Sequence, residues 1–209
     1  MAASADVTGV HARDWYWTAC GLLAAVVLVA ASFLPLWSLT LHAPQYPQGL
    51  NLTAYGTSLE GDLNEINGLN HYIGIKAIEP DSIFELTLFP YVMSLLIVTV
   101  VAGAILVRNW RLRALLALAV WAIPVTLLID TQWWLYSYGH DLNPDAPIKV
   151  AEFTPRVLGS TTVMNFNSDA MVASGFWLMA LAGLLLAAGP WLARFLWESW
   201  NNTGEEPAK

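Results

Sequence analysis

Four apolar runs alternate with two long polar segments, and this pattern sets the expected architecture. The runs lie at residues 15–37, 86–107, 114–129 and 171–193, and none of the four contains a charged residue. Crossing a bilayer takes about 20 mostly apolar residues. The third run is short, and reaches that length when extended to residues 112–132. The polar segments, at about residues 38–85 and 130–170, are too long to be bare connectors in a compact protein, so internal structure or function is expected in them. LNLTAYG alternates apolar and polar positions and predicts a short strand. The expected fold is an all-α membrane protein forming a single membrane domain over residues 1–209. It has four transmembrane helices and two long outward-facing loops with room for short β segments.

Charge gives the orientation. Arg108, Arg111 and Arg113 crowd the link at residues 108–113, which the positive-inside rule places in the cytoplasm. Arg13 and Arg194 then fall on the same side, with both termini. The long loops face outward, the periplasm in a Gram-negative source. They carry three basic residues (Lys76, Lys149, Arg156) against eleven acidic ones: Glu60, Asp62, Glu65, Glu79, Asp81, Glu85, Asp130, Asp141, Asp145, Glu152 and Asp169. The net charge of −7 is therefore a property of the outer face. It argues against nucleic acid as a partner and favours cations or a basic partner. Trp15, Trp17, Trp37, Trp133, Trp134, Trp191, Trp197 and Trp200 cluster at span ends, where indoles serve as interfacial anchors.

The spans themselves exclude much. No span contains His, so no haem is ligated within them, and Asp130 at the edge of the third is the lone ionisable residue there. This argues against a proton path through the chain alone. The first run exceeds the roughly 7–15-residue core of a signal peptide and reads as a retained helix. Cys20, the single cysteine, leaves no disulfide framework. Gly103, Gly183 and Gly189 read as packing positions.

Candidate chemistry sits in the loops. His42 follows the first span before the turn-rich APQYPQG, His71 lies between an Asn-Gly turn signal and Tyr72, and His140 sits in YGHDLNPDAP. Three imidazoles on one side of the membrane suit copper, zinc or iron, with Asp141 and Met164 as the nearest completing ligands by chemistry. Their spacing matches no closed motif. The same histidines equally serve as hydrogen-bonding residues of turns. No serine lies in an activating context for a nucleophile, so no enzyme is expected.

LHAPQYPQGL, INGLNHYIGIKAIE and YGHDLNPDAPIKV followed by MNF carry a resemblance that covers both loops. The chain resembles a family of small bacterial four-span membrane proteins with APQYPxGL, INGLNHYIGM and YGHxLxPxAPIK segments. That family is associated with gene clusters for nitrous oxide reductase maturation and copper handling. Ile75 stands where the family pattern has Met after HYIG, which removes one thioether from any copper site. The resemblance implies an inner-membrane accessory protein for a copper-dependent respiratory enzyme, acting in metal delivery or maturation, with copper as the candidate cofactor. A second reading is a structural subunit that caps the outer face of a larger respiratory or electron-transfer complex. The expected partners are the lipid bilayer and either other membrane subunits or a periplasmic copper enzyme.

Overall fold

A computed structural model describes residues 4–203, with side chains from residue 15 to residue 200. Helix α1 (Ser4–Ala31) leads into strands β1 (Trp37–Ala43), β2 (Tyr46–Ala54) and β3 (Leu59–Gly61), then helix α2 (Leu63–Ile73) and a 3-10 turn (Pro80–Ser82). Helices α3 (Phe84–Leu106) and α4 (Trp110–His140) follow. Strands β4 (Gly159–Val163) and β5 (Phe166–Val172) and helices α5 (Ser174–Ala187) and α6 (Gly189–Thr203) complete the chain.

This corrects the all-α, four-span expectation. Among the described residues two helices, α3 and α4, are long and apolar enough to cross a membrane, and there are three candidates if α5 and α6 count as one broken span. These candidate spans mark a membrane protein whose apolar helices are compatible with a bilayer. Of α1, which has 28 residues, the described apolar part is Trp15–Ala31. Two of the predicted runs overshot for identifiable reasons. Pro35 has no N–H to continue a helix, and the turn tightens as Phe33 N–H bonds the Ala30 carbonyl at 3.2 Å. Leu36 and Trp37 then leave for the sheet. At the other end, Met171 and Val172 belong to β5, and Gly189–Pro190 break the last run into two helices bent by 62°. Helix α5, with 14 residues, is about 21 Å long at 1.5 Å per residue, less than the roughly 30 Å hydrocarbon layer.

The two long polar segments are one structure. Their strands form a five-stranded antiparallel sheet in the order β3-β2-β1-β5-β4. Its centre is the pairing of β1 with β5, which runs from Trp37 opposite Val172 to His42 opposite Asn167. The predicted LNLTAYG strand is the second half of β2 and pairs with β1 from Leu50 to Ala54. Helix α2 lays Ile66 and Leu69 on this sheet, closing a core with Trp37, Leu50, Leu52 and Ala170. Further bonds tie the loops together. Asn143 N–H reaches the Gly74 carbonyl at 2.8 Å and Ile148 N–H the Tyr72 carbonyl at 2.9 Å. Trp37 Nε1 donates to the Val157 carbonyl at 2.7 Å.

A second core lies among the helices, with α1 packed against α3, α5 and α6. Leu28, Met93, Val100, Val120 and Met179 are fully buried there. Close approach depends on small residues: a Cβ on Gly103 would sit 2.6 Å from Leu116, and one on Gly183 2.6 Å from Trp121. The packing role predicted for these two glycines is the observed one, whereas Gly189 also marks the α5–α6 bend. Trp17 and Trp37 depart from the predicted anchor role. Both are buried, Trp17 in the helical core and Trp37 in the head. Trp15, Trp133, Trp191, Trp197 and Trp200 are exposed.

Candidate binding site

The five predicted ligands stand at four places in the fold, with His140 and Asp141 together at the end of α4. His42 lies on β1 at a bulge in its pairing with β2. Its ring covers Gly49, where a Cβ would meet the imidazole at 2.9 Å and where φ is +85°; the glycine is required there on both counts. His71 is on an exposed face of α2, edge-on to Tyr72 with ring centroids 6.2 Å apart. The predicted turn around it is helix, because the apolar positions Ile66, Leu69 and Ile73 recur at helical spacing and are buried. His140 is the last residue of α4, which continues as helix through the predicted YGHD turn. Its Nδ1 is 2.9 Å from the Tyr136 carbonyl oxygen, its ring stacks on Tyr136 at 3.8 Å, and its Nε2 is 4.0 Å from Glu152. Asp141 is ion-paired with Lys76. Met164 is exposed in the β4–β5 turn at φ 54°. Among the described residues, no group of three or more His, Cys, Asp or Glu side chains is placed to hold a metal. The predicted set is thus spread over β1, α2, the end of α4 and the β4–β5 turn.

A different constellation is assembled where the sheet meets the helices. At 31 residues, α4 is about 46 Å long, so its last ten or so residues extend past the hydrocarbon layer and run beside the sheet. Between them, the inner face of the sheet and the start of α3 lies a cavity of about 190 Å³. Trp37, Leu39, Leu52 and Leu59 line it from the sheet, Leu86 and Phe89 from α3, and Leu127 and Trp134 from α4. Its walls are almost wholly apolar, yet Glu85 and Asp130 both open onto it with Thr131 and Tyr138. No Lys, Arg or His lines it.

Glu85 Oε2 and Trp134 Nε1 are buried and have no hydrogen-bond partner in the protein. Buried polar atoms are nearly always bonded, so an orphaned acceptor and an orphaned donor on one cavity mark places where a ligand group would be satisfied. Trp134 and Tyr138 also border a polar hollow of about 390 Å³ with Lys76, Glu79, Ser82 and Ser137. The arrangement can hold an apolar group of roughly benzene size, judged against the roughly 150 Å³ engineered cavity that takes up benzene. It can also accept a hydrogen bond at Glu85 and donate one at Trp134. The carboxylate pair favours a positively charged or strongly donating group.

Sequence reasoning counted Glu85 among eleven acids and singled out Asp130 as an edge residue, but did not pair them. A signal was present. Glu85 immediately precedes the second apolar run and Asp130 closely follows the third, so a short link between these runs brings both acids to the same end. Trp134 was read only as an anchor. No protein-family model matches the chain, and no curated protein matches it.

Proposed function

We propose that this chain is an outward-facing accessory protein of the bacterial inner membrane that serves a copper-dependent respiratory enzyme. In this reading the arginine-rich link between α3 and α4 faces the cytoplasm. The sheet head stands in the periplasm, and the acid-lined cavity beneath it holds a ligand or partner segment that presents an apolar group and a hydrogen-bond donor. The observation that carries the reading is the pairing of Glu85 and Asp130 in an apolar cavity, with the Glu85 oxygen and the Trp134 N–H left unbonded. The resemblance of the loop segments supplies the copper-enzyme context, and the acidic head supplies attraction for a basic partner.

The test is mild-detergent affinity purification of the tagged protein, with co-purifying subunits and bound metals quantified on one sample. Wild type retains the enzyme or its maturation partner, and Glu85→Gln with Asp130→Asn releases it while the tagged chain is made at the same level. A chain that runs alone in both forms would end this reading. A structural-subunit role is the second reading, favoured by the exposed apolar side chains of α3 and α4, such as Leu88, Leu95, Val98, Leu118 and Ile129. Fixed partners kept by every cavity variant would establish it. Copper bound to the isolated chain, and lost in His71→Ala with His140→Ala, would instead make the protein a metal carrier.

A further inference from the structure

The cavity under the sheet carries two unanswered groups of opposite kind. Glu85 Oε2, when ionised, can only accept a hydrogen bond, and Trp134 Nε1 can only donate one; neither finds a partner in the protein. A second carboxylate, Asp130, opens onto the same space. The rest of the wall is apolar and partly aromatic, with Trp37 and Leu52 from the sheet and Phe89 from α3. Gly56 seats Phe89 closely, since a Cβ there would lie 2.0 Å from its ring. The cavity also borders exposed apolar surface. Leu88, Ile129 and Trp133, each next in the chain to a lining residue, are exposed. Helix α3 packs chiefly on α1 and α4 chiefly on α5, so little helix–helix contact closes the space between them.

We infer that, given the membrane placement and the cavity reading proposed above, this cavity binds the head of a lipid-soluble hydroquinone. Such a molecule is one aromatic ring that bears hydroxyl groups and an apolar tail, and each part answers a feature of the site. A phenolic O–H donates to the Glu85 carboxylate, a charge-assisted bond of the stronger kind. A hydroxyl oxygen accepts from the Trp134 N–H, so one type of group satisfies both orphaned atoms. At about 190 Å³ the cavity takes a single substituted ring, against roughly 150 Å³ for the engineered cavity that takes up benzene. The tail follows the exposed apolar side chains of α3 and α4. The same chemistry sets other occupants aside. An ammonium group donates to both carboxylates but has no acceptor for the indole. A plain alkyl chain leaves both orphaned atoms unanswered, and an oxidised quinone offers acceptors to Trp134 but no O–H to Glu85.

The test uses the full chain, purified in a neutral detergent under argon, with decylubiquinol and decylubiquinone titrated separately by native mass spectrometry. Decylubiquinol is expected to bind about tenfold or more tightly, because only the reduced ring donates to a carboxylate. Glu85→Gln should erase that preference, since an amide both donates and accepts. Trp134→Phe should weaken both forms by about threefold or more and keep the preference. Asp145→Asn, the same charge change at an exposed position on the head, should bind as wild type does. Equal binding of the two forms by wild type would overturn the inference, and so would loss of the preference in Asp145→Asn. The free hydroquinone head without its tail should compete only at about tenfold higher concentration or more; competition at equal concentration would show a site for soluble phenols and also overturn it. Partner retention that depends on Glu85 in a chain binding neither form would sink this inference and leave the accessory reading standing. Quinol binding by a chain that retains no partner would do the reverse.

Discussion

The two ends of this molecule hold cavities of opposite character. The one under the sheet is small and apolar, lined by two carboxylates and no basic residue. The one at the far end is larger and, among the described residues, lined by three arginines and no acid. The difference teaches how each cavity meets its charge. Arg194 is answered within the protein by Glu198. Carboxylates beneath a folded head lie at the boundary between lipid and an enclosing sheet, and the protein supplies them with no cation. A carboxylate kept in apolar surroundings costs stability unless it is bonded, so Glu85 is better explained by what it receives than by what it stabilises.

The largest effect on this comparison should come from removing the head. Gly61 has φ +122°, and a Cβ there would lie 2.0 Å from the Asn51 carbonyl oxygen. Gly61→Val should therefore cost about 3 kcal/mol or more, seen as a lower thermal midpoint and loss of partner retention together. The far cavity should be unaffected in this variant, because its described lining residues all come from the helices and the link. Next in size is Glu85→Gln. Losing the charged acceptor should weaken retention of the ligand or partner by about tenfold, with the thermal midpoint unchanged or slightly raised, since a buried charge has been removed. Trp134→Phe should weaken retention less and leave stability within about 1 kcal/mol of wild type, because the indole N–H it removes has no protein partner. The smallest effect belongs to Lys76→Ala. Its ion pair with Asp141 is exposed on both sides, so stability should change by less than about 1 kcal/mol, and retention at the cavity should stay the same.

Much of the helical part was legible in the sequence, because a long charge-free run has few alternative structures. The runs at 86–107 and 112–132 match the cores of α3 and α4. The other two were misjudged at Pro35 and at Gly189–Pro190, where hydropathy continues while the backbone cannot. The sheet was harder to see. The alternation in LNLTAYG exposed part of β2, but its central pairing joins β1 to β5, more than 120 residues apart in the chain. The sequences GSTTV and FNSDAMV show no clean apolar alternation, since much of β4 is exposed. The candidate site suffered from the same distance. Histidines attract attention singly through their chemistry, whereas Glu85, Asp130 and Trp134 become notable only once α3, α4 and the sheet enclose one cavity. His71 shows the converse: its Asn-Gly signal was local, and tertiary burial of Ile66, Leu69 and Ile73 overrode it.

The central claim is that the two cavities face opposite sides of the membrane, with the acidic one outside. Single-cysteine accessibility in intact cells tests it most directly. In a Cys20→Ala background, Gln48→Cys places an exposed thiol on the head and Asn109→Cys places one on the link between α3 and α4. A membrane-impermeant maleimide should label the head thiol in intact cells and the link thiol only after the membrane is opened. Labelling of the link in intact cells, with the head protected, would invert the protein and contradict the account.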